Sequence, residues 1–252
     1  YYWKVLDGRE ALSRAGLKPI TLDPKEGLAL INGTSVMTAV GALVLHDGFA
    51  LLKDAQVAAS MSFEALRGSP APYDDRYVSL KPQPGAREVA ANLRRLLRGS
   101  EIIPSHKGPH RVQDPYSLRC IPQVMGACRA ALDHAAQIVR IEMNSATDNP
   151  LIFPDEVESV SGGNFHGQAV AMVLDHVALA LAVLAGFSER RTARLVDGRL
   201  SELPAFLTKE GGLNSGMMIV QYVAAGYASD NKVLAHPASA DSIPTSANQE
   251  DY

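Results

Sequence analysis

The sequence predicts an all-α protein in which several long helices form a bundle. Apolar residues recur at helical spacing over stretches of about 20–30 residues, and proline and glycine cluster between those stretches. Signals for β-strands are almost absent. Helices of this length pack together to bury their apolar faces. The 252 residues are 46% hydrophobic, which supplies enough apolar material for one substantial core or two small ones.

The spacing of apolar residues places the helices along the chain. We expect them over residues 9–15, 34–66 (as one helix or two joined ones), 86–98, 115–143, 165–195 and 212–234. On the 34–66 helix the residues at this spacing are Val40, Leu43, Val44, Leu51, Ala55 and Ala58. Loops are predicted over 67–84, 99–113 and 236–252, and residues 151–163 are expected to be extended or to form a hairpin.

The chain is expected to form a single domain over residues 1–252, since no stretch has the composition of a linker. It is also expected to be truncated at both ends. Tyr1-Tyr2-Trp3 is not a natural start, and residues 249–252 stop without a helix end or a tail. We therefore interpret the chain as the central helical part of something longer.

Residues 169–187 are apolar except at Asp175 and His176, and they are long enough to suggest a membrane span. Charge near the middle of a span makes insertion costly, and the flanks lack a stop-transfer pattern. A helix that is apolar nearly all round is better interpreted as the buried centre of a helical bundle. We therefore expect no membrane partner.

Charge, cysteine and histidine content argue against other partners and cofactors. The formal net charge of −3 gives no support for binding nucleic acid, and the basic stretch 94–98 is typical of a solvated helix face. Cys120 and Cys128 are too far apart on one predicted helix for a disulfide, and low cysteine use suits a reducing cytosol. His106 and His110 are separated by Gly108-Pro109, which excludes the helix that a metal-binding pair needs. We expect a cytoplasmic protein without a metal site.

The segment VQDPYSLRC, residues 112–120, places polar residues where a helix is expected to begin. Asp114 suits the N-cap, and Pro115 suits the first helical position. Tyr116 and Arg119 are three residues apart and so lie on one face of the helix, with Gln113 at its rim. This face is either a solvated edge or a polar site at a helix N-terminus.

Similar polar clusters occur at other loop and helix ends, at Asn32, at 162–166 and at 248–250. Helix N-termini offer free N–H groups and a positive dipole end, which suit an anionic ligand, and Arg119 can bind a carboxylate with two hydrogen bonds. Each cluster also has a plain structural explanation. Asn32 and the double glycine suit turns, Arg119 suits a surface ion pair and Glu250 suits a solvated acid. The pattern alone therefore leaves a shared site open.

Six strings follow one another over nearly the whole chain. They are KEGLALINGT (25–34), VQDPYSLRCIPQVMGACR (112–129), EMNSATDNPL (142–151), SGGNFHG (161–167), GLNSGMM (212–218) and DNKVLAHPAS…DSIPTSANQED (230–251). In this order they closely resemble the aromatic amino-acid lyase family, and within it they look most like the enzymes that act on histidine. The resemblance implies a long-helix bundle of the fumarase/aspartase-like type. It also implies a homotetramer whose active sites are shared between subunits.

The resemblance implies a reaction as well. Members of the family eliminate ammonia from an amino acid with a 4-methylidene-imidazole-5-one (MIO) electrophile, which forms from an Ala-Ser-Gly triplet of their own backbone. No such triplet occurs in this sequence, and by the family's layout it is expected upstream of Tyr1. We therefore expect the 252-residue chain alone to be inactive.

The resemblance assigns roles to particular residues of this chain. Arg119 would anchor the substrate carboxylate, and Gln113 would orient the substrate through a hydrogen bond. Tyr116 would supply a catalytic hydroxyl close to the electrophile. Asn32 would lie near both the electrophile and the substrate carboxylate, as a catalytic and a binding residue. Phe165 would pack beside the electrophile.

Glu250 bears on both the mechanism and the substrate. It matches a glutamate of the family's active site, with a role in amine or ring handling or in acid–base chemistry. The string QED at 249–251 resembles the histidine enzymes, although Tyr252 stands where they commonly have histidine. The expected activity is therefore deamination of L-histidine to trans-urocanate and ammonia. The alternatives are a tyrosine or phenylalanine ammonia-lyase or aminomutase of the same family, or a non-catalytic helical assembly module.

Overall fold

The computed structural model describes residues 4–106 and 112–252, which are mostly helical. In these residues the α-helices are α1 (Gly8–Arg14), α2 (Glu26–Ile31), α3 (Ser35–Ala65), α4 (Asp75–Ser79), α5 (Ala86–Leu96), α6 (Ile102–Ser105), α7 (Tyr116–Arg119), α8 (Ile121–Glu142), α9 (Gln168–Val196), α10 (Gly198–Ser201) and α11 (Met218–Leu234). Short 3₁₀ turns lie at Ala71–Tyr73, Ala205–Leu207 and Ser246–Asn248. An antiparallel hairpin pairs β1 (Leu151–Phe153) with β2 (Glu158–Val160), with Leu151 opposite Val160. The predicted all-α class and the predicted hairpin are confirmed.

The described residues form two compact units. The first comprises the described part of Tyr1–Ser35 together with Ala146–His166. The second comprises the described part of Val36–Ser145 together with Gly167–Tyr252. The expectation of a single domain over residues 1–252 stays a prediction.

In the first unit, the chain that leaves α2 passes close against the segment that precedes β1. Gly33 has a φ of +78°, and a Cβ there would lie 1.8 Å from the carbonyl oxygen of Thr147, so only glycine fits. The N–H of Thr34 donates to Thr147 Oγ1 at 3.5 Å. This close approach brings Asn32 beside Asp148.

In the second unit, buried apolar residues of α3, α5, α8 and α9 form one cluster. It includes Leu52, Ala59 and Phe63 from α3, Val89 and Leu93 from α5, Met125, Leu132 and Ala135 from α8, and Val173, Val177 and Leu184 from α9. On α3 the buried residues Leu45, Leu52 and Ala59 follow one another at intervals of seven residues. Such an interval corresponds to two helical turns, so these residues lie on one side of the helix.

The buried side of α3 differs from the predicted one. Val40, Leu43 and Leu51, which carried the predicted spacing, are each more than half exposed. The reason is that α3 is apolar on more than one side. Helical spacing then identifies the helix without selecting the face that packs against its neighbours.

Among residues 4–106 and 112–252, two helical stretches are long and apolar enough to cross a membrane by length and composition alone, Glu26–Ala65 and Gln168–Val196. The core helix of a soluble bundle meets the same criterion. The expectation that residues 169–187 form a buried centre holds for one side of α9. Val173 and Val177 are buried there, whereas Met172 and Leu179 are exposed in the single chain.

The helix predicted over 115–143 is two helices. α7 ends at Arg119, Cys120 lies between them, and α8 has Pro122 in its first turn. Pro122 has no N–H to donate to the carbonyl of Leu118, and its ring crowds that carbonyl. A regular helix therefore does not continue through this point.

The start of α7 also differs from the prediction. Pro115 is the N-cap, in extended conformation with ψ of 154°, and the first helical residue is Tyr116. Asp114 does not cap the helix, because its carboxylate instead accepts the N–H of Ser69 at 2.6 Å. The predicted cap and first position are wrong by one residue, because a contact 45 positions away takes the Asp114 side chain.

The N-terminus of α5 lies directly against Gly126 of α8. A Cβ on Gly126 would lie 2.6 Å from the backbone nitrogen of Ala86 and 2.9 Å from the backbone carbon of Gly85. We expect Gly126→Ala to lower the free energy of unfolding by about 1–3 kcal/mol, because backbone atoms cannot move aside as a side chain does. This loss outweighs the better helix propensity of alanine, which is about 1 kcal/mol.

Gly186 in α9 provides the matched control, since a Cβ there would meet no atom within 4 Å. Gly186→Ala should raise the free energy of unfolding by up to about 1 kcal/mol. Urea denaturation followed by circular dichroism measures both variants. An equal change in the free energy of unfolding of Gly126→Ala and Gly186→Ala would contradict the close approach of α5 and α8.

Candidate active site

Tyr116 and Arg119 lie together on the outer face of α7. The Arg119 guanidinium carbon is 4.5 Å from the centroid of the Tyr116 ring, so the cation stacks on the aromatic face. Tyr116 is 69% exposed, whereas Nε of Arg119 is buried and has no hydrogen-bond partner among the described residues. An unpaired buried donor on a cation is costly, so this guanidinium is suited to an anionic ligand.

Arg119 lines a cavity of about 660 Å³ in the second unit. The polar residues that line it with Arg119 are Ser69, Tyr77, Lys81, Gln113, Asp114 and Gln123. Two of these side chains are cationic, and the one carboxylate already accepts the Ser69 N–H. The structure thus brings Gln113 and Arg119 to one cavity, as the spacing predicts, and gives that cavity a positive character.

Gln123 is a lining residue that was not predicted from the sequence. Its Oε1 is buried and has no hydrogen-bond partner among residues 4–106 and 112–252. A buried amide oxygen without a donor is uncommon in folded proteins and points to an absent partner. Its position four residues after Arg119 is the signal in the sequence, since that spacing places two residues on one helical face.

Glu250 lies near the chain's last residues and is exposed, and it does not line the Arg119 cavity. The hydroxyl of Thr245 donates to its carboxylate, and the N–H of Thr245 donates to its backbone carbonyl at 2.9 Å. Hydrogen bonds from the Thr245 and Ser246 side chains lower the pKa of Glu250 below its usual value. The carboxylate is therefore ionised at neutral pH, and the same hydrogen bonds make it a weaker base.

Asn32 and Phe165 belong to the first unit. Asn32 follows α2 directly, and its Nδ2 donates to Asp148 Oδ1 at 2.9 Å. Because the amide nitrogen faces a carboxylate, the amide oxygen of Asn32 is directed away from it. Phe165 precedes α9 and is 41% exposed. Its aromatic surface is therefore accessible in this unit.

Asp148 is the centre of a polar cluster that was not predicted from the sequence. Lys25 forms an ion pair with its carboxylate, and the N–H of Asn149 donates to Oδ1 at 2.7 Å. The hydrogen bond from Lys25, with those from Asn32 and Asn149, lowers its pKa to about 2. The sequence gives no local signal for this cluster, because Lys25 and Asn32 are more than 110 positions away from Asp148.

His106 and His110 are the two histidines that were considered for a metal pair. The His106 ring has Nδ1 2.7 Å from the Ile102 carbonyl oxygen, and His110 lies outside the described residues. Within the two described ranges, no three His, Cys, Asp or Glu side chains are grouped closely enough to hold a metal ion. Cys120 and Cys128 are both free thiols, which agrees with the predicted absence of a disulfide.

Comparison with known proteins decides the family. The sequence profile of the aromatic amino acid lyases matches residues 1–252. The chain belongs to the aromatic amino acid lyase family. The histidine ammonia-lyase of Symbiobacterium thermophilum is 58% identical over 247 residues, which are 98% of this chain and 48% of that protein. This lyase chain thus spans about half the length of the curated relatives that it matches.

Two solved structures share the fold of this chain. The crystal structure of histidine ammonia-lyase from Trypanosoma cruzi superimposes with a TM-score of 0.89 at 46% identity, over 98% of this chain and 46% of that one. The tyrosine aminomutase from Streptomyces globisporus superimposes equally well, with a TM-score of 0.89, at 38% identity, over 96% of this chain and 50% of that one. The predicted resemblance and the predicted helical-bundle fold are therefore confirmed.

The Asp148 cluster makes the stability of this lyase chain depend on pH. The pKa of Asp148 is lowered from 3.8 to about 2, so its contacts stabilise the folded state fully above about pH 4 and lose this effect as the pH falls towards 2. We expect Asp148→Asn to be less stable than the unchanged protein at pH 6. The difference should shrink steadily below about pH 4.

Urea denaturation at a series of pH values from 6 to about 3 measures this difference. Asp155→Asn, in the exposed turn between β1 and β2, is the matched control and should leave the free energy of unfolding unchanged. If Asp148→Asn lowers the free energy of unfolding by the same amount at every pH, the charge of Asp148 does not contribute to stability.

Proposed function

We propose that this chain is part of an enzyme that deaminates L-histidine to trans-urocanate and ammonia. The observation that carries the chemistry is the buried, unpaired Nε of Arg119 at a positive cavity, which suits the carboxylate of an amino acid. The choice of histidine rests on the relatives. Identity is 58% and 46% to proteins named histidine ammonia-lyase, and 38% to the tyrosine aminomutase.

Arg119 would hold the substrate carboxylate, with Lys81 adding positive charge to the cavity. A guanidinium binds a carboxylate through two parallel N–H donors, which fixes orientation as well as position. Gln113 and Gln123 each supply an amide that can hydrogen-bond to a bound amino acid. Stacking on Tyr116 would keep the Arg119 plane in one orientation, so that the carboxylate always enters in the same way.

The elimination needs a base for a weakly acidic β-proton and an activated amine. An MIO group, when present, supplies an electrophile that makes the amine a better leaving group. It would have to come from an Ala-Ser-Gly triplet outside this sequence. The residues available here fit such a neighbour. Tyr116 offers a hydroxyl at a largely exposed position, Phe165 offers an accessible aromatic face, and Asn32 directs its amide oxygen outward.

Glu250 would act as an anion. Hydrogen bonds from Thr245 and Ser246 lower its pKa, so it is ionised at neutral pH. An ionised glutamate can balance the positive charge of an ammonium or an imidazolium group, and it can accept a proton. It is poorly suited to donate one at neutral pH. Because a lowered pKa also makes it a weak base, we assign Glu250 to amine or ring handling.

We further propose that the chain assembles as a homotetramer in the cytoplasm. Large apolar side chains are exposed in the single chain on α3, α9 and α11, among them Leu43, Leu51, Leu179, Val183, Val220 and Tyr227. Apolar surfaces of this kind are normally covered by another protein surface. The low cysteine content supports a reducing compartment.

An assay of the full-length protein with single amino acids tests the activity. We expect urocanate, detected by its ultraviolet absorbance, to form from L-histidine, with little product from L-tyrosine or L-phenylalanine. Release of cinnamate or coumarate, or formation of a β-amino acid, would favour the related lyases and aminomutases. The absence of any product, with the Ala-Ser-Gly triplet missing upstream, would favour the non-catalytic assembly module.

Arg119→Lys provides the matched variant for this assay. Lysine keeps the charge but loses the planar pair of donors, so KM for L-histidine should rise roughly 10- to 100-fold. Arg190→Lys makes the same exchange at an exposed site on α9, where the side chain pairs with Glu189, and should leave KM unchanged. An unchanged KM in Arg119→Lys would contradict the carboxylate role.

A further inference from the structure

α7, which carries Tyr116 and Arg119, has four residues and cannot hold its own conformation through its helical hydrogen bonds. A single turn fixes several backbone dihedrals for very few hydrogen bonds. Pro122 removes a further one, since it has no N–H to donate to the Leu118 carbonyl. That carbonyl instead accepts the Tyr73 hydroxyl at 2.8 Å, and Tyr73 is completely buried. A side chain thus replaces the donor that the proline lacks.

The preceding carbonyl of α7 also receives a donor from outside the helix. Nη1 of Arg191 donates to the Ser117 carbonyl at 3.5 Å. Arg191 belongs to α9, is only 2% exposed, and stacks on the Phe187 ring at 5.1 Å. Two consecutive carbonyls, between the two predicted site residues of α7, are therefore contacted by buried side chains from two other elements.

Burying the Arg191 cation is energetically unfavourable, because only 2% of the residue is exposed to water. Burial lowers its pKa to about 10, so it stays protonated at neutral pH, and its Nη2 has no hydrogen-bond partner among the described residues. Apolar side chains of similar volume often give equal or greater stability at such positions. Stability alone therefore does not explain why a guanidinium is buried at this position. The hydrogen bond from Arg191 to the Ser117 carbonyl of α7 does explain it.

We propose that Tyr73 and Arg191 are positioning residues that hold α7 from its buried side and thereby set the orientation of Arg119. The proposal rests on the proposed role of Arg119 as the carboxylate anchor. Binding geometry in active sites must be held within about 0.5 Å by supporting residues. A loosened α7 would move the Arg119 guanidinium relative to the other groups of the cavity and so weaken carboxylate binding selectively.

The test compares two ligands of the full-length protein, one with a carboxylate and one without. Imidazolepropionate and histamine are tested as competitive inhibitors of histidine deamination, and each variant is assayed at equal folded concentration. Tyr73→Phe removes one oxygen atom. Loss of one hydrogen bond should raise the inhibition constant of imidazolepropionate and the KM for histidine about 3- to 10-fold. The inhibition constant of histamine should not change.

Arg191→Lys supplies the second variant and should show the same selective loss. Arg190→Lys is the matched control at an exposed position and should behave like the unchanged protein. A merely structural role for Tyr73 and Arg191 would lower the melting temperature without changing the ratio of the two inhibition constants. An unchanged ratio in a folded Tyr73→Phe or Arg191→Lys protein overturns the proposal, even if the other variant fails to fold.

Arg119→Lys in the same assay separates this proposal from the proposed function. If Arg119→Lys weakens imidazolepropionate and the Tyr73 and Arg191 variants do not, only the positioning role fails. If Arg119→Lys leaves imidazolepropionate binding unchanged, or the unchanged protein does not deaminate histidine, the anchor role fails, and the positioning role fails with it.

Discussion

The Tyr73 hydroxyl donates a hydrogen bond to the Leu118 carbonyl, which Pro122 leaves without a helical donor at the junction of α7 and α8. The geometry of the second unit's polar cavity depends on this contact. It lets a four-residue helix turn away from the long α8 and still keep its carbonyls paired. Arg119, at the end of α7, can then stack on Tyr116 and line the cavity instead of joining the packed side of α8.

The lining of the cavity in the second unit suits an anionic group, and in the first unit the Asp148 carboxylate is already paired. In the second unit, Lys81 and Arg119 line the cavity, and the Asp114 carboxylate is occupied by the Ser69 N–H. In the first unit, Lys25 neutralises Asp148, which in turn fixes the amide of Asn32. A carboxylate bound in the cavity of the second unit would therefore not face an unpaired Asp114 carboxylate.

The sequence predicted what depends on neighbouring residues and missed what depends on distant ones. The long helices, the hairpin and the pairing of Tyr116 with Arg119 follow from periodicity and from spacing of three. The break at Cys120 was missed because Pro122 is tolerated in the first turn of a helix, so the sequence there is compatible with one helix or two. Asp148, Tyr73 and Arg191 were missed because their partners lie 45 to 123 positions away. The buried face of α3 was missed because both of its sides are apolar.

The central claim is that Arg119 binds the carboxylate of the amino-acid substrate. A crystal structure of the full-length protein with bound imidazolepropionate tests it most directly. We expect both carboxylate oxygens to lie about 2.7–2.9 Å from guanidinium nitrogens of Arg119, as in a bidentate pair. A carboxylate bound elsewhere, with Arg119 still stacked on Tyr116 and unpaired, would contradict it.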